Sequence, residues 1–157
     1  MRMAVTVYLT AEGIQKLEQE LAELKGPARA ALSKRLKAAI EQGDLSENAD
    51  YSKAKEDQSF LEGRIQEIEN MLKNYVIIDE RKRIHDIVEI GATVTIQEGS
   101  DDPETYFLVG PAEADPAHGK ISFESPIGSA LLNHKIGETI KVAAPGGDLI
   151  FHILDIK

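Results

Sequence analysis

A chain of 157 residues without cysteine has no disulfide, no thiolate metal site and no cysteine nucleophile, and is expected in a reducing, cytoplasmic setting. Its net charge of −9 argues against a protein that coats duplex DNA by neutralising phosphates, although nucleic acid can still be met locally. The start, Met1-Arg2-Met3-Ala4-Val5-Thr6-Val7-Tyr8, holds no apolar signal core, and no later run is long and uncharged enough to cross a bilayer.

Thr10 is placed to cap a helix whose apolar residues recur as Ile14, Leu17, Leu21, Leu24 and Ala28, in the steps of three and four of a coiled-coil seam. Gly26-Pro27 is expected to kink this helix or restart it, because an interior proline costs about 3 kcal/mol. The pattern resumes through Ala31, Leu32, Leu36 and Ala39, and Gly43 supplies a residue suited to the left-handed end of a helix. A second helix follows with Tyr51, Ala54, Gln58, Leu61, Ile65, Ile68, Leu72 and Tyr75 on one seam, broken only by Gln58. Two such helices joined by a turn at Gly43 to Glu47 must pack antiparallel, as an arm roughly 40 Å long at 1.5 Å per residue.

Beyond Ile78 the apolar period changes to two. Val94-Thr95-Ile96, Tyr106 to Val109, Ile121-Ser122-Phe123 and Thr139 to Ala143 read as strands. Ile140 and Val142 are expected to face Leu149, Phe151 and Ile153 across the turn Pro145-Gly146-Gly147. Ser125-Pro126, a cap followed by proline, opens a short helix to about Leu132. The class is therefore α+β with two domains. Residues 1–78 form an antiparallel coiled-coil hairpin and residues 79–157 a small sheet domain with a short helix, with Arg81 to His85 as the linker.

No nucleophile elbow or glycine-rich phosphate loop is present, and the four histidines show no metal-ligand spacing. The segment that carries chemistry is Gly43-Asp44-Leu45-Ser46-Glu47-Asn48-Ala49-Asp50-Tyr51, with three acids at intervals of three where the hairpin turns. One reading makes Asp44 an N-cap with Glu47 at the third helical position, a capping-box-like pair. The other offers both carboxylates to a divalent metal such as magnesium, which wants six oxygens and would need outside ligands to complete its shell. The second reading makes the tip half of a metal site, shared with a partner protein. Lys25, Arg29, Lys34, Arg35 and Lys37, followed by Lys53 and Lys55, form a basic flank. That flank reads either as a solvated, ion-paired helix face or as a track for single-stranded phosphates.

These residues resemble the bacterial Gre-type transcript cleavage factors along nearly the whole chain. The likeness rests on Tyr8-Leu9-Thr10 with Gly13, Leu17 and Leu21, on the tip segment Gly43 to Tyr51, and on Glu62-Gly63-Arg64-Ile65. It extends through Gly91-Ala92-Thr93-Val94, Ser125-Pro126-Ile127-Gly128 and Pro145-Gly146-Gly147. The resemblance implies an FKBP-like C-terminal domain that docks at the mouth of the RNA polymerase secondary channel, Ser125 and Pro126 facing the polymerase, and a hairpin that reaches the active centre. It further implies that Asp44 and Glu47 help hold a magnesium ion shared with the polymerase and orient the attacking water, so that the factor completes a hydrolytic site without being an enzyme itself. Lys55 falls in the family's basic patch for the extruded RNA 3′ segment. Ile40 and Ser46 stand where relatives often carry a basic residue, which implies an RNA-contacting patch that is either weaker or built from Arg35, Lys37 and Lys53. The free factor is expected to be a monomer without bound cofactor or membrane contact. Three other readings stand beside it: a paralogue that blocks the same channel, a coiled-coil adaptor or holdase for which the tip acids would be dispensable, and a prolyl isomerase, suggested only by the implied fold and needing an aromatic-lined pocket.

Overall fold

The computed structural model describes residues 6–79 and 85–157. In chain order the elements are β1 (Val7–Leu9), α1 (Ala11–Glu23), α2 (Arg29–Glu41), α3 (Ala49–Lys73), β2 (Tyr75–Ile77), β3 (Thr93–Glu98), β4 (Glu104–Val109), β5 (Lys120–Ser122), α4 (Pro126–Leu131), β6 (Thr139–Ala144) and β7 (Gly147–Ile156). The linker expected at Arg81 to His85 lies outside the described residues except for His85. The chain divides into two compact units, residues 14–74 and a unit made of residues 1–13 with 75–157.

In the helical unit, Leu17, Leu32, Ala39, Ala54, Ile65 and Ile68 are buried, all on the expected seam. Ion pairs confirm the direction of packing. Lys25 meets Glu69, Arg29 meets Glu62 and Arg35 meets Asp57, so one partner's number rises as the other's falls. Those helices are antiparallel. At 25 residues α3 is about 37 Å long.

At Pro27, where a kink or a restart is expected, the chain stays helical. Leu24–Ala28 forms one π-helical turn, Pro27 inside it, leading directly into α2. Proline lacks the N–H an α-helix needs at that position and its ring crowds the carbonyl one turn back, and the wider π turn makes room for it. Gly43, at a φ of +113°, then ends the rod after Glu41 and Gln42.

In the sheet unit the strand order is β5-β4-β3-β7-β6. The pairs β3–β4, β3–β7 and β6–β7 are antiparallel, and β4–β5 is parallel. Ile140 lies opposite Phe151 and Val142 opposite Leu149, the expected register, with the chain reversing at Pro145-Gly146. A bulge between Thr95 and Ile96 shifts the β3–β7 pairing by one residue. The core gathers Val94, Ile96, Leu108, Leu131, Phe151 and Ile153 under α4. Ser125 caps α4 by accepting the Gly128 N–H at 3.1 Å, with Pro126 at the first helical position.

A second, two-stranded sheet belongs to the same unit as the five-stranded one. β1 and β2 pair in parallel, Val7 with Tyr75 and Leu9 with Ile77, which ties both ends of the helical segment to the C-terminal unit. Tyr8 adds an edge-to-face contact with Phe123 at a ring separation of 5.4 Å. The first 13 residues therefore belong physically with the sheet.

Candidate functional site

The turn between α2 and α3 is where the candidate chemistry sits, and its geometry departs from the capping-box reading. Asp44 does not cap α3. The cap is Asn48, whose Oδ1 accepts the Tyr51 N–H at 3.0 Å. The other end of the same amide, Nδ2, donates to the Ala39 carbonyl at 2.7 Å, so one side chain joins the end of α2 to the start of α3. Ala39 and Ala54, both buried, present no bulk near this point and let the helices approach.

Freed from capping, Asp44 closes a small turn of its own. Its Oδ1 accepts the Ser46 hydroxyl at 2.7 Å and the Ser46 N–H at 3.0 Å. The Ser46 hydroxyl, then the Ser46 backbone, hold the Asp44 carboxyl below its ordinary value. Its Oδ2 accepts no hydrogen bond among the described residues. Glu47, also exposed, has no hydrogen bond or ion pair among them. Asp50, the third acid, instead accepts from Gln42 Nε2 at 3.2 Å within the first turn of α3. Gln42, Asp44, Glu47, Asn48, Ala49 and Asp50 line a shallow open depression.

Among the described residues no group of three or more His, Asp or Glu side chains is placed to hold a metal ion. Two exposed carboxylates with free oxygens nonetheless suit a hard cation that takes the rest of its shell from water or another molecule.

The basic flank is divided by its partners. Arg35 is paired with Asp57 at 2.9 Å, and Lys53 approaches the same carboxylate at 3.3 Å and Glu56 at 3.8 Å. Lys55 donates to Gln58, a neutral group, at 2.9 Å. Lys37 is exposed and has no ion pair among the described residues. The solvated-face reading therefore describes Arg35 and Lys53, while Lys37 and Lys55 are in no ion pair among the described residues. Of the aromatics after Ile78, Phe151 is buried, Tyr106 and Phe123 pack on the core, and Phe107 lines an open groove with Thr10, Ile77 and Thr93.

Sequence reasoning placed Asp44 and Glu47 correctly on an exposed turn but missed Asn48 and the Ser46 contact. Asn is as good an N-cap as Asp, so spacing alone could not choose between positions 44 and 48. Residues 7–77 match the family described as transcription elongation factor, N-terminal, and residues 83–157 match transcription elongation factor, GreA/GreB, C-term. The chain belongs to the GreA/GreB transcription elongation factor family. The boundary between those two matches falls where the chain period changes, whereas the compact units are cut at residues 13 and 74 because β1 pairs with β2. Relatives in the GreA/GreB family include the transcription elongation factor GreA of Acetivibrio thermocellus, 48% identical over 96% of each chain. That of Geobacillus kaustophilus is 48% identical over 95% of each. The solved structure of GreA factor homolog 1 from Thermus thermophilus is 28% identical, spanning 98% of this chain and 99% of that one at a TM-score of 0.44. Among the described residues no helix is long and apolar enough to cross a membrane.

Proposed function

We propose that this GreA/GreB family member is an accessory factor that carries its hairpin tip through the secondary channel of RNA polymerase and stimulates hydrolysis of backtracked RNA 3′ ends. The observation that supports this reading most directly is the display of two carboxylates on the hairpin turn, Glu47 unpaired and Asp44 Oδ2 unengaged among the described residues. The sheet unit, as an FKBP-like module, docks at the channel mouth, with Ser125 and Pro126 toward the polymerase.

Asp44 and Glu47 are the residues that would hold a magnesium ion shared with the polymerase's own aspartates. Bound there, the metal would lower the pKa of the attacking water and offset charge on the phosphodiester in the transition state. Asp44 is suited to this role by its held carboxyl, which stays ionised at neutral pH and has one oxygen without a hydrogen bond among the described residues. Glu47 supplies a second anion that can accept from, and so orient, the nucleophilic water. Lys37 and Lys55, with Arg35 and Lys53 on the flank, draw the phosphates of the extruded RNA toward the tip. The free factor is a cytoplasmic monomer that binds no cofactor alone and catalyses nothing alone.

Addition to stalled, backtracked elongation complexes from the same source is expected to release short 3′ RNA fragments. Asp44→Asn and Glu47→Gln abolish release while competition binding to polymerase persists. Release unaffected by Asp44→Asn sinks the mechanism, and slowed elongation without any fragment identifies a channel blocker instead.

A further inference from the structure

We propose that Asn48 is a positioning residue for the tip, and that its amide bridge between Ala39 and Tyr51 sets where Asp44 and Glu47 are held. The inference deepens the function proposed above and rests on that reading of the two acids.

From Glu41 to Glu47 every residue is exposed, so no burial holds the turn in place. Few bonds remain to do so. Gln42 N–H reaches the Ala39 carbonyl at 3.2 Å and Gly43 N–H the Ile40 carbonyl at 3.3 Å, both finishing α2 without touching α3. Ser46 holds Asp44 but stays within the turn. The Gln42–Asp50 contact does span the turn, at 3.2 Å between two exposed side chains. Asn48 is half-buried and makes a 2.7 Å bond to the end of α2 and a 3.0 Å bond within α3. Both groups of its amide are engaged, one toward each helix, and the acids lie one and four residues before it.

The two halves of the amide have separable jobs. The oxygen caps α3, which serine does about as well as asparagine. The nitrogen reaches the Ala39 carbonyl, and a serine side chain is too short to replace it. Asn48→Ser thus keeps the helix start and removes only the tie between helices. Loss of that tie matters because a shared metal site tolerates little misplacement; a shift of about 1 Å can cost about 100-fold in rate.

The test compares Asn48→Ser, Asn48→Ala and Asp44→Asn in the full-length protein. Expected for Asn48→Ser are unchanged helix content, a still-protected Tyr51 amide, and unchanged half-saturating concentration on polymerase. Its maximal cleavage rate falls about 10- to 100-fold, and NMR order parameters at Ser46 and Glu47 in the free protein drop. Asn48→Ala adds loss of Tyr51 protection. Wild-type cleavage by Asn48→Ser, while Asp44→Asn cleaves nothing, overturns the role of Asn48 and leaves the proposed function standing. Full cleavage by Asp44→Asn overturns the function itself, and with it this inference. Order parameters at Ser46 and Glu47 unmoved by Asn48→Ser also overturn the inference, with no recourse to cleavage.

Discussion

The backbone N–H of Thr10 donates to a carboxylate oxygen of Glu113 at 2.8 Å, across 103 residues of sequence, while the Thr10 hydroxyl donates to the other oxygen and accepts the Gly13 N–H at 3.0 Å. In an ordinary capping box the acid comes from the third helical position. Here that position is Gly13, and a Cβ placed on it would lie 2.3 Å from Glu113 Cδ. The glycine vacates the space that the distant acid fills. The result is a helix start that depends on the sheet unit being folded, which joins local capping to tertiary structure.

This arrangement makes the two positions non-additive. Gly13→Ala displaces Glu113 and is expected to cost about 1–2 kcal/mol, the scale of losing hydrogen bonds to a charged group. In a Glu113→Ala background the same change meets no carboxylate and becomes neutral or stabilising by up to about 1 kcal/mol through helix propensity. Urea unfolding of the four proteins in the cycle measures the coupling, and equal costs in both backgrounds would rule the arrangement out.

The hairpin was legible because burial on one seam leaves a periodic trace, and the sheet because alternation does the same. The π turn left a trace too: Leu24, Ala28, Leu32 and Leu36 follow one another at steps of four, longer than a heptad's mean of 3.5, as an extra residue in one turn requires. The parallel pairing of Val7–Leu9 with Tyr75–Ile77 left none, since three-residue strands 68 positions apart have no local pattern. At the tip, the acids were visible as residue types in a motif. Which of Asp44 and Asn48 caps the helix depended on where α2 ends and how closely α3 approaches, a tertiary fact. The same holds for the basic flank, where only the position of Asp57 separates Arg35 from Lys37.

Within the hairpin, Arg64 grips both oxygens of Glu20, at 2.7 and 2.9 Å, and also reaches Glu67 at 2.9 Å. The Arg64 hydrogen bonds hold the Glu20 carboxyl below its ordinary value of 4.5. A depressed carboxylate contributes stability above its unfolded pKa and loses it as pH falls through the folded one. The Glu20–Arg64 contribution is therefore full above about pH 5 and fades below 4.5. Both side chains are 39% exposed, so solvent screening limits a double-mutant coupling to about 0.5–1 kcal/mol, shrinking in high salt. Arg64→Lys is expected to lose most of it because an ammonium cannot make the two-pronged contact. A coupling that stays undiminished as pH falls below 4.5 and on through acid unfolding would contradict the assignment.

Tyr106 behaves in the opposite sense at the alkaline end. Its hydroxyl donates to Glu104 at 2.6 Å, and that bond, then burial and the nearby negative charge, push the phenol up to about 12. A raised phenol contributes stability below its unfolded value of 10.0 and loses it as pH climbs through the folded one. Phenolate absorbance after a rapid pH jump, read before unfolding, should show a tyrosine titrating near 12. Glu104→Gln moves that tyrosine back toward the others, and four indistinguishable titrations would exclude the interaction.

The partition of the basic flank leads to a prediction that separates stability from RNA contact. A cation already matched by a carboxylate offers a phosphate little net attraction, whereas an unmatched one offers its full charge. Arg35→Ala breaks the Asp57 pair and is expected to lower hairpin stability by a few tenths of a kcal/mol, with a modest effect on cleavage. Lys37→Ala and Lys55→Ala leave thermal unfolding unchanged, because neither side chain is in an ion pair among the described residues. Each instead lowers cleavage of backtracked complexes by about two- to tenfold at low salt, converging with the parent protein as salt rises and phosphate attraction is screened. Paired measurements of melting temperature and cleavage rate across a salt series check both halves. If Arg35→Ala weakened cleavage more than Lys37→Ala and Lys55→Ala at every salt concentration, phosphate contact would have to run through the paired cation, and Asp57 would have to release Arg35 when RNA arrives.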